Sequence, residues 1–183
     1  MTEISLRFNA RYALLILGLA GTLVSGLACG NTDSGTFEEA LVVRVIDGDT
    51  VELENGERVR YLGIDTPETV HPGKPVECFG PEASERNKEL VEGKKVRLLQ
   101  DGPDRDSYDR LLRYVFVGGT FVNGDLVWEG YAYARSYGDT PLFYQTLVQL
   151  ERSAREGKRG LWNSAGSAAL SGTEPPQLRN CPQ

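Results

Sequence analysis

Two segments indicate the fold: Ile46-Asp47-Gly48-Asp49-Thr50 and Arg60-Tyr61-Leu62-Gly63-Ile64-Asp65-Thr66-Pro67-Glu68. They lie on either side of Asn55-Gly56, the tip of one predicted β-hairpin. Asn-Gly is the dipeptide most favoured in two-residue hairpin turns. The stretch also gathers acids and an arginine, with chain-breaking Asp-Gly and Thr-Pro steps beside the acids, which an ordinary hairpin does not need. Carboxylate oxygens suit hard cations such as Ca²⁺ and Mg²⁺, and a guanidinium matches a phosphate. The stretch therefore predicts a site that holds a hard cation against a phosphate.

Strand signals surround this hairpin. Residues 41–46 are rich in β-branched side chains, and the two arms of the hairpin, 50–53 and 58–64, alternate as strands do. A fourth strand is predicted over 95–99 and a fifth over 111–117. We expect an acidic, flexible loop over 100–109 between them.

Three helices complete the predicted fold. A helix is predicted to begin at Gly80-Pro81-Glu82, because proline and acids are favoured in the first turn. It is predicted to end near Val91. A short helix is predicted over 122–130. The last one is predicted over 141–156, where apolar residues recur at helical spacing as a core face. Five strands and about three helices predict an α+β fold, mainly β, built on a five-stranded OB-fold barrel.

Charge and composition limit the function classes. The chain has 183 residues, a formal net charge of −6 and a pI near 4.9. This argues against a protein that binds nucleic acid through a basic surface alone, but not against an enzyme whose cations line a cleft. With His71 as the single histidine, histidine-based catalysis is disfavoured, and the chemistry is expected to belong to carboxylates, arginines and a metal.

The N-terminal region has the pattern of an export signal. A basic start is followed by a short apolar run and then by Ser25-Gly-Leu-Ala-Cys29, which resembles a bacterial lipoprotein box with Cys29 as the lipidated residue. Ordinary signal cleavage after Ala28 is the alternative. The predicted organisation is a signal peptide over 1–28, a tether over 29–39, the folded domain over 40–163 and an irregular tail over 164–183. Either alternative predicts an exported protein, extracellular or held at the cell surface by a lipid anchor.

The cysteines agree with export. If Cys29 carries lipid, Cys78 and Cys181 remain, and an exported domain would normally pair them. Such a bridge would tie the tail to the body, contributing on the order of 4 kcal/mol in the chain-entropy model. Two unpaired thiols are the alternative.

Taken together and in this order, five segments resemble the thermonuclease family of staphylococcal-nuclease-like phosphodiesterases over residues 40–163. These segments are Ile46-Asp-Gly-Asp-Thr50, Arg60 to Glu68, Phe79-Gly-Pro-Glu-Ala83, Asp106-Ser-Tyr-Asp-Arg110 and Gly157-Lys-Arg-Gly-Leu-Trp162. The resemblance implies an OB-fold barrel, one Ca²⁺ as cofactor, and DNA and RNA as substrates.

The resemblance also implies roles for single residues. The family's metal-binding carboxylates fall on Asp49 and Asp65, with the Thr66 carbonyl as a further ligand. Its phosphate-binding arginines fall on Arg60 and Arg110, and its general base falls on Glu68. Beside these, Tyr108 and Tyr137 are candidates for stacking on substrate bases. We expect a monomer whose only membrane contact is the lipid anchor.

Alternatives remain open at single residues and for the whole chain. Asp47 is either a turn acid or a residue behind the metal ligands, and Arg110 could pair on the surface with Asp106 or Asp109. Asp109 departs from the family, which often has glycine there, and an acid at this position could weaken substrate binding. For the whole chain, the alternatives to an enzyme are a non-catalytic OB-fold binding module and a Ca²⁺-binding surface lipoprotein.

Overall fold

The computed structural model describes residues 37–70, 73, 76–136 and 142–163. The strands are β1 (Phe37–Val45), β2 (Thr50–Leu53), β3 (Arg58–Tyr61), β4 (Ile64–Asp65), β5 (Lys95–Arg105), β6 (Leu111–Val117), β7 (Thr120–Phe121) and β8 (Tyr133–Ala134). The helices are α1 (Gly80–Val91), α2 (Val122–Glu129) and α3 (Tyr144–Glu156), followed by a 3-10 turn over Gly160–Trp162.

Five of these strands form a closed barrel. Their order is β3-β2-β1-β5-β6, and β3 closes the barrel by pairing in parallel with β6, with Arg60 opposite Leu112. The remaining neighbours in the barrel are antiparallel. The predicted α+β fold with a five-stranded OB-fold barrel and three helices is confirmed.

One contiguous apolar core fills the barrel and extends beneath the helices. Its fully buried members include Val51, Val59, Leu98 and Tyr114 from the strands and Leu147 from α3. The predicted apolar face of α3 is thus a core face. Because each such side chain is removed from water, burial of this kind contributes roughly 1.5–3 kcal/mol per large aliphatic residue.

The connection between β3 and β4 depends on glycine. Gly63 has a φ of +75°, and a Cβ at this position would lie 2.6 Å from Leu147 Cδ1. The chain therefore turns sharply against α3 and re-enters as β4, which pairs with β8. This turn brings Asp65 back beside Arg60 on the preceding strand.

The predicted strand over 58–64 is interrupted, since β3 ends at Tyr61 and β4 begins at Ile64. Three other boundaries also differ from those predicted. The strand β5 runs on to Arg105, so most of the predicted loop over 100–109 is strand, held by ion pairs from Arg105 to Glu57 and from Arg113 to Asp104. The strand β1 already begins at Phe37, whose ring contacts Phe116, so the last residues of the predicted tether belong to the sheet.

The third boundary is the start of α3. This helix begins at Tyr144 rather than at 141, and just before it the Leu142 N–H donates to the Asp101 carboxylate. In the described part of the chain, no helix is long and apolar enough to cross a membrane. The predicted signal peptide, Cys29 and the tail with Cys181 lie outside the described residues.

Candidate active site

A cleft of about 770 Å³ opens at one end of the barrel. Its walls are the turn after β1, the β3–β4 connection with the residues that follow it, and the hairpin between β5 and β6. The predicted site residues that line it are Asp49, Arg60, Asp65, Thr66, Glu68, Tyr108 and Arg110. Residues from three separate parts of the sequence therefore meet in one cleft, while Tyr137 lies outside the described residues.

The turn between β1 and β2 places Asp49 inward. The Asp49 N–H donates to Asp47 Oδ1 at 3.0 Å, and the Ile46 N–H donates to the Thr50 carbonyl at 2.9 Å, which closes the base of the turn. Asp49 is only 4% exposed. Its Oδ2 accepts hydrogen bonds from the Thr66 N–H at 2.8 Å and from Thr66 Oγ1 at 3.0 Å. The turn after β1 is thus fastened to the segment after β4.

Arg60 lies between the two candidate ligand carboxylates. Its Nε is 3.1 Å from Asp49 Oδ1, and its Nη2 is 2.8 Å from Asp65 Oδ1. Its Nη1 donates to the carbonyl oxygens of Tyr61 at 2.7 Å and Ile64 at 2.8 Å. Arg60 is 9% exposed. Its guanidinium is oriented by groups on both sides of the Gly63 turn. Arg60 lines the cleft, and its partners there are carboxylates and carbonyls of the protein. Its role towards a phosphate stays a prediction.

The acids of this site repel one another. Burial, reinforced by the charge of Asp49, raises the pKa of Asp47 to about 7. Burial and the same neighbour also raise the pKa of Asp65. Asp49 and Asp65 pair with Arg60, and Arg135 lies beside Asp65 as a second cation. With Asp47 next to them, the carboxylates at this end of the cleft outnumber the guanidinium groups.

The donor set suits a hard cation. Asp49 and Asp65 offer carboxylate oxygens and Thr66 offers a carbonyl, which are the ligand types that Ca²⁺ and Mg²⁺ prefer. Over residues 37–70, 73, 76–136 and 142–163 there is no group of three or more His, Cys, Asp or Glu side chains arranged to hold a metal. A cation bound by two side chains and one carbonyl would therefore keep positions for water or a phosphate oxygen, since Ca²⁺ takes six to eight ligands.

Glu68 follows the Thr66-Pro67 step at the edge of the cleft. Its Oε1 accepts hydrogen bonds from the N–H groups of Thr69 and Val70, both at 2.9 Å. Its own N–H donates to Glu77 Oε2 at 2.8 Å, and the Glu77 N–H donates back to the Glu68 carbonyl. These bonds fix Glu68 beside Glu77, and Glu68 lines the same cleft as Asp49.

The β5–β6 hairpin carries Arg110 at its tip. Arg110 Nε donates to Asp106 Oδ2 at 2.7 Å, and the Arg110 backbone N–H donates to Asp106 Oδ1 at 3.0 Å. Although burial acts to raise it, these hydrogen bonds hold the pKa of Asp106 below its ordinary value. Of the two surface partners weighed for Arg110, Asp106 is the one it uses. Tyr108 is 78% exposed on the same tip, with the Arg110 guanidinium 5.4 Å from its ring centre.

Asp109 occupies a backbone position that favours glycine. Its φ is +62°, in the left-handed region that aspartate tolerates better than most residues. Its carbonyl accepts a hydrogen bond from Arg105 Nη1 at 2.9 Å, and its carboxylate lies 3.5 Å from the same nitrogen. The extra acid thus lies beside Arg105, which also pairs with Glu57, on the β5 side of the hairpin.

Residues not predicted from the sequence also support the site. Asn87 of α1 is completely buried, donates from Nδ2 to the Asp47 carbonyl at 3.1 Å and accepts from the Tyr61 hydroxyl at 3.0 Å. Arg135, after β8, has its Nε 3.8 Å from Asp65 Oδ2. Asn87 lies in an ordinary helical pattern and Arg135 far along the chain, so neither carried a local signal.

Similarity to known proteins agrees with this geometry. A family model described as "Staphylococcal nuclease homologue" matches residues 58–164. A thermonuclease from Staphylococcus hyicus is 36% identical over 146 residues, covering 73% of this chain and 86% of the relative. A thermonuclease from Staphylococcus intermedius is 38% identical over 128 residues, covering 68% and 76%. Endonuclease YncB from Bacillus subtilis (strain 168) is 42% identical over 128 residues, covering 67% and 61%.

The matched segment contains most of the cleft. It includes β3, β4 and the β5–β6 hairpin, and therefore the segments that carry Arg60, Asp65 and Arg110. It also spans more than half of the sequence, and the relatives align beyond it. This chain belongs to the family of staphylococcal nuclease homologues.

Proposed function

We propose that this chain is an exported, Ca²⁺-dependent nuclease that hydrolyses phosphodiester bonds in DNA and RNA. Family membership supports a nuclease hydrolase, and the relatives include thermonucleases and an endonuclease. The observation that carries the finer proposal is the cleft itself, which brings Asp49, Asp65, Glu68 and two arginines to one solvent-accessible place.

Phosphodiester hydrolysis makes three demands on such a cleft. A water must lose a proton and be aimed in line with the phosphorus, the charge that builds on the phosphoryl oxygens must be neutralised, and the leaving oxygen must be stabilised. Glu68 is the proposed general base, a role that typically contributes about 10²–10⁴-fold to the rate. The N–H groups of Thr69 and Val70 hold its Oε1, which restricts the carboxylate of a residue that lines the cleft.

The arginines are the proposed partners of the phosphate. A preorganised positive charge stabilises the transition state without having to reorient at the moment of reaction. Arg60 is held at three nitrogens by fixed groups, and Arg110 lines the same cleft from the β5–β6 hairpin. Because an arginine stays protonated at any physiological pH, neither is assigned as the proton donor to the leaving oxygen.

Asp49, Asp65 and the Thr66 carbonyl are the proposed ligands of Ca²⁺. When bound, the cation would polarise a phosphate oxygen and orient the substrate. It would also compensate the excess negative charge of the three neighbouring carboxylates. Asp47 contributes through its Oδ1, which fixes the N–H of Asp49 and so the direction of that side chain.

Cleavage of single-stranded DNA by the purified protein tests this proposal. It would be measured with Ca²⁺, with Mg²⁺ and with a chelator, beside an Arg60→Ala, Glu68→Ala double variant. We expect Ca²⁺-dependent cleavage that the double variant lacks. Binding of DNA without cleavage under every condition would instead assign the chain to the non-catalytic binding modules.

The proposal of export has its own test. Cys78 lies half-buried directly before α1, and its predicted partner Cys181 lies outside the described residues. Mass spectrometry of the protein recovered from its native host is expected to show a peptide pair joining these cysteines and a lipid on Cys29. Two thiols that react with an alkylating agent in the native protein would rule out the bridge. An unlipidated N-terminus at Cys29 would favour simple secretion.

A further inference from the structure

A buried chain of hydrogen bonds connects α1 to the acidic turn of the cleft. The Tyr61 hydroxyl donates to Asn87 Oδ1 at 3.0 Å, and Asn87 Nδ2 donates to the Asp47 carbonyl at 3.1 Å. Asn87 is 0% exposed and Tyr61 is 1% exposed. Both ends of the amide are therefore used, and water does not compete for them.

We infer that Asn87 is a positioning residue of the cation site, which fixes the Asp47–Gly48 peptide and through it the carboxylate of Asp49. This inference rests on the proposed function, because it concerns the affinity of that site for Ca²⁺. Asn87 touches neither substrate nor the proposed cation, and it acts through the main chain of the turn. Tyr61 sets the orientation of the amide, since its hydroxyl donates to the oxygen and leaves the NH₂ group facing Asp47.

The turn has little room to move once this bond is made. On the opposite side, a Cβ on Gly48 would lie 2.6 Å from Thr66 Oγ1, so the turn approaches Thr66 as closely as a glycine allows. The same Thr66 donates twice to Asp49. The turn is thus held between α1 and the segment after β4, and loss of the Asn87 bond would release one of these two sides.

Tyr61 is coupled to the turn a second time. Its backbone N–H donates to the Asp49 carbonyl at 2.9 Å, while its side chain reaches Asn87. The residue next to Arg60 therefore contacts the acidic turn directly and through α1. Groups that orient metal ligands from behind typically change metal affinity by about 10–100-fold when they are removed.

Calorimetric titration of the full-length protein with Ca²⁺, without substrate, measures this role independently of activity. We expect Asn87→Ala to weaken Ca²⁺ binding by about tenfold or more. Tyr61→Phe keeps the ring and removes only the hydroxyl, and it is expected to weaken binding in the same direction by a smaller factor. Urea unfolding in chelator establishes that each variant is folded.

Two matched controls separate positioning from general destabilisation. Asn123 is also completely buried on a helix and uses its amide on two backbone groups, the Val115 N–H and the Leu62 carbonyl. Tyr114 is a buried tyrosine whose hydroxyl contacts Asp101. Tyr114→Phe is expected to lower stability and to leave Ca²⁺ affinity unchanged. Asn123→Ala removes a bond to the β3–β4 connection and not to the acidic turn, so it is expected to lower stability and to weaken Ca²⁺ binding less than Asn87→Ala does.

The outcomes distinguish this inference from the proposed function. If the unmutated protein binds no Ca²⁺, the proposed cation site fails, and the inference fails with it. If the unmutated protein binds Ca²⁺ and the variants bind equally well, the positioning role alone is overturned. If Asn87→Ala does not fold, Tyr61→Phe decides: unchanged affinity rejects the role, and weakened affinity supports it provided that Tyr114→Phe is unaffected.

Discussion

The two arginines of the cleft are built into the molecule in different ways. Arg60 is buried, and its partners Asp49 and Asp65 come from two different turns. Arg110 is partly exposed, and its partner Asp106 lies on the same hairpin tip. One arginine is held by the tertiary fold and the other by a local turn, although both face the same space.

This difference predicts different consequences of mutation. When a charge pair is closed off from water, removal of one partner strongly lowers the free energy of unfolding, because the other charge is left buried and unpaired. A partly exposed pair within one turn contributes about 0–1 kcal/mol. Stability and activity should therefore be coupled at the Arg60 end of the cleft and separable at the Arg110 end.

Arg60→Ala should have the largest effect. The variant leaves the buried Asp49 carboxylate without its guanidinium, which is expected to lower the free energy of unfolding by about 3–5 kcal/mol in the absence of metal. The rate of cleavage should fall by about 10²-fold or more through loss of a preorganised charge. Urea unfolding in chelator and single-turnover cleavage measure the two effects.

The control for Arg60→Ala is Arg152→Ala on α3. Arg152 also forms an ion pair, with Glu156, but both side chains are exposed. Its removal should change the unfolding free energy by about 0.5 kcal/mol or less. An Arg60→Ala protein that is as stable as the Arg152→Ala protein would contradict the contrast between the two ends of the cleft.

Glu68→Gln should reduce activity without affecting the fold. The glutamine keeps an oxygen that can accept from the Thr69 and Val70 N–H groups, so the backbone over 68–70 should keep its conformation. The loss of a general base predicts a rate lower by about 10²–10⁴-fold. Single-turnover cleavage with saturating Ca²⁺ is the measurement.

Glu77→Gln is the matched control in the same loop. Glu77 Oε2 accepts the Glu68 N–H, and a glutamine oxygen can do the same. We expect its rate to stay within about tenfold of the unmutated protein, since the residue has no assigned proton-transfer role. If both variants lose the same large factor, the loop and not the Glu68 carboxylate is what the reaction needs.

The sequence was sufficient for those parts of the fold that are set locally. The Asn55-Gly56 turn, the β-branched strands and the helix start at Gly80-Pro81 each depend on neighbouring residues, and all appear as expected. The placement of Asp49, Arg60 and Asp65 in one cleft is also set locally, because they stand in two short segments whose turn chemistry is visible in the sequence. Their metal-binding and catalytic roles stay predictions. The five-stranded barrel followed from the number and order of these segments.

The parts that were missed depend on partners distant in sequence. The extension of β5 to Arg105 relies on Glu57, and nothing within 100–109 reveals that ion pair. The support from Asn87 relies on a carbonyl of the turn after β1, so the residue reads as any polar helix position. The alternation of side chains along β3 is compatible with an Arg60 that faces a cleft. That its partners are carboxylates depends on the turn at Gly63, which brings Asp65 back beside it.

Arg110→Ala should lower activity and leave stability almost unchanged. Without the guanidinium, Asp106 still accepts from the Tyr108 and Arg110 N–H groups, so the turn keeps its shape. The free energy of unfolding should change by about 1 kcal/mol or less, while the cleavage rate falls by about 10²-fold. A loss of stability equal to that of Arg60→Ala would remove the distinction between a tertiary and a local arginine.

Asp109→Gly should have the smallest effect, although Asp109 is where the family pattern breaks. Glycine adopts the φ of +62° without strain, which stabilises the folded state, but it also increases the conformational entropy of the unfolded chain. These two effects on the free energy of unfolding oppose each other. The Asp109 carboxylate is 87% exposed and lies beside Arg105, so its loss should change substrate affinity by no more than a few-fold.

Asp109→Ala makes this last test sharper. Alanine removes the same charge but keeps a Cβ at positive φ, and should cost about 1 kcal/mol relative to glycine. Equal substrate affinity in the two variants, with stability differing in this direction, would show that position 109 acts on the backbone of the hairpin. A large gain of affinity in both variants would show instead that the Asp109 charge reaches the phosphate, and that the hairpin tip is less locally neutralised than its contact with Arg105 indicates.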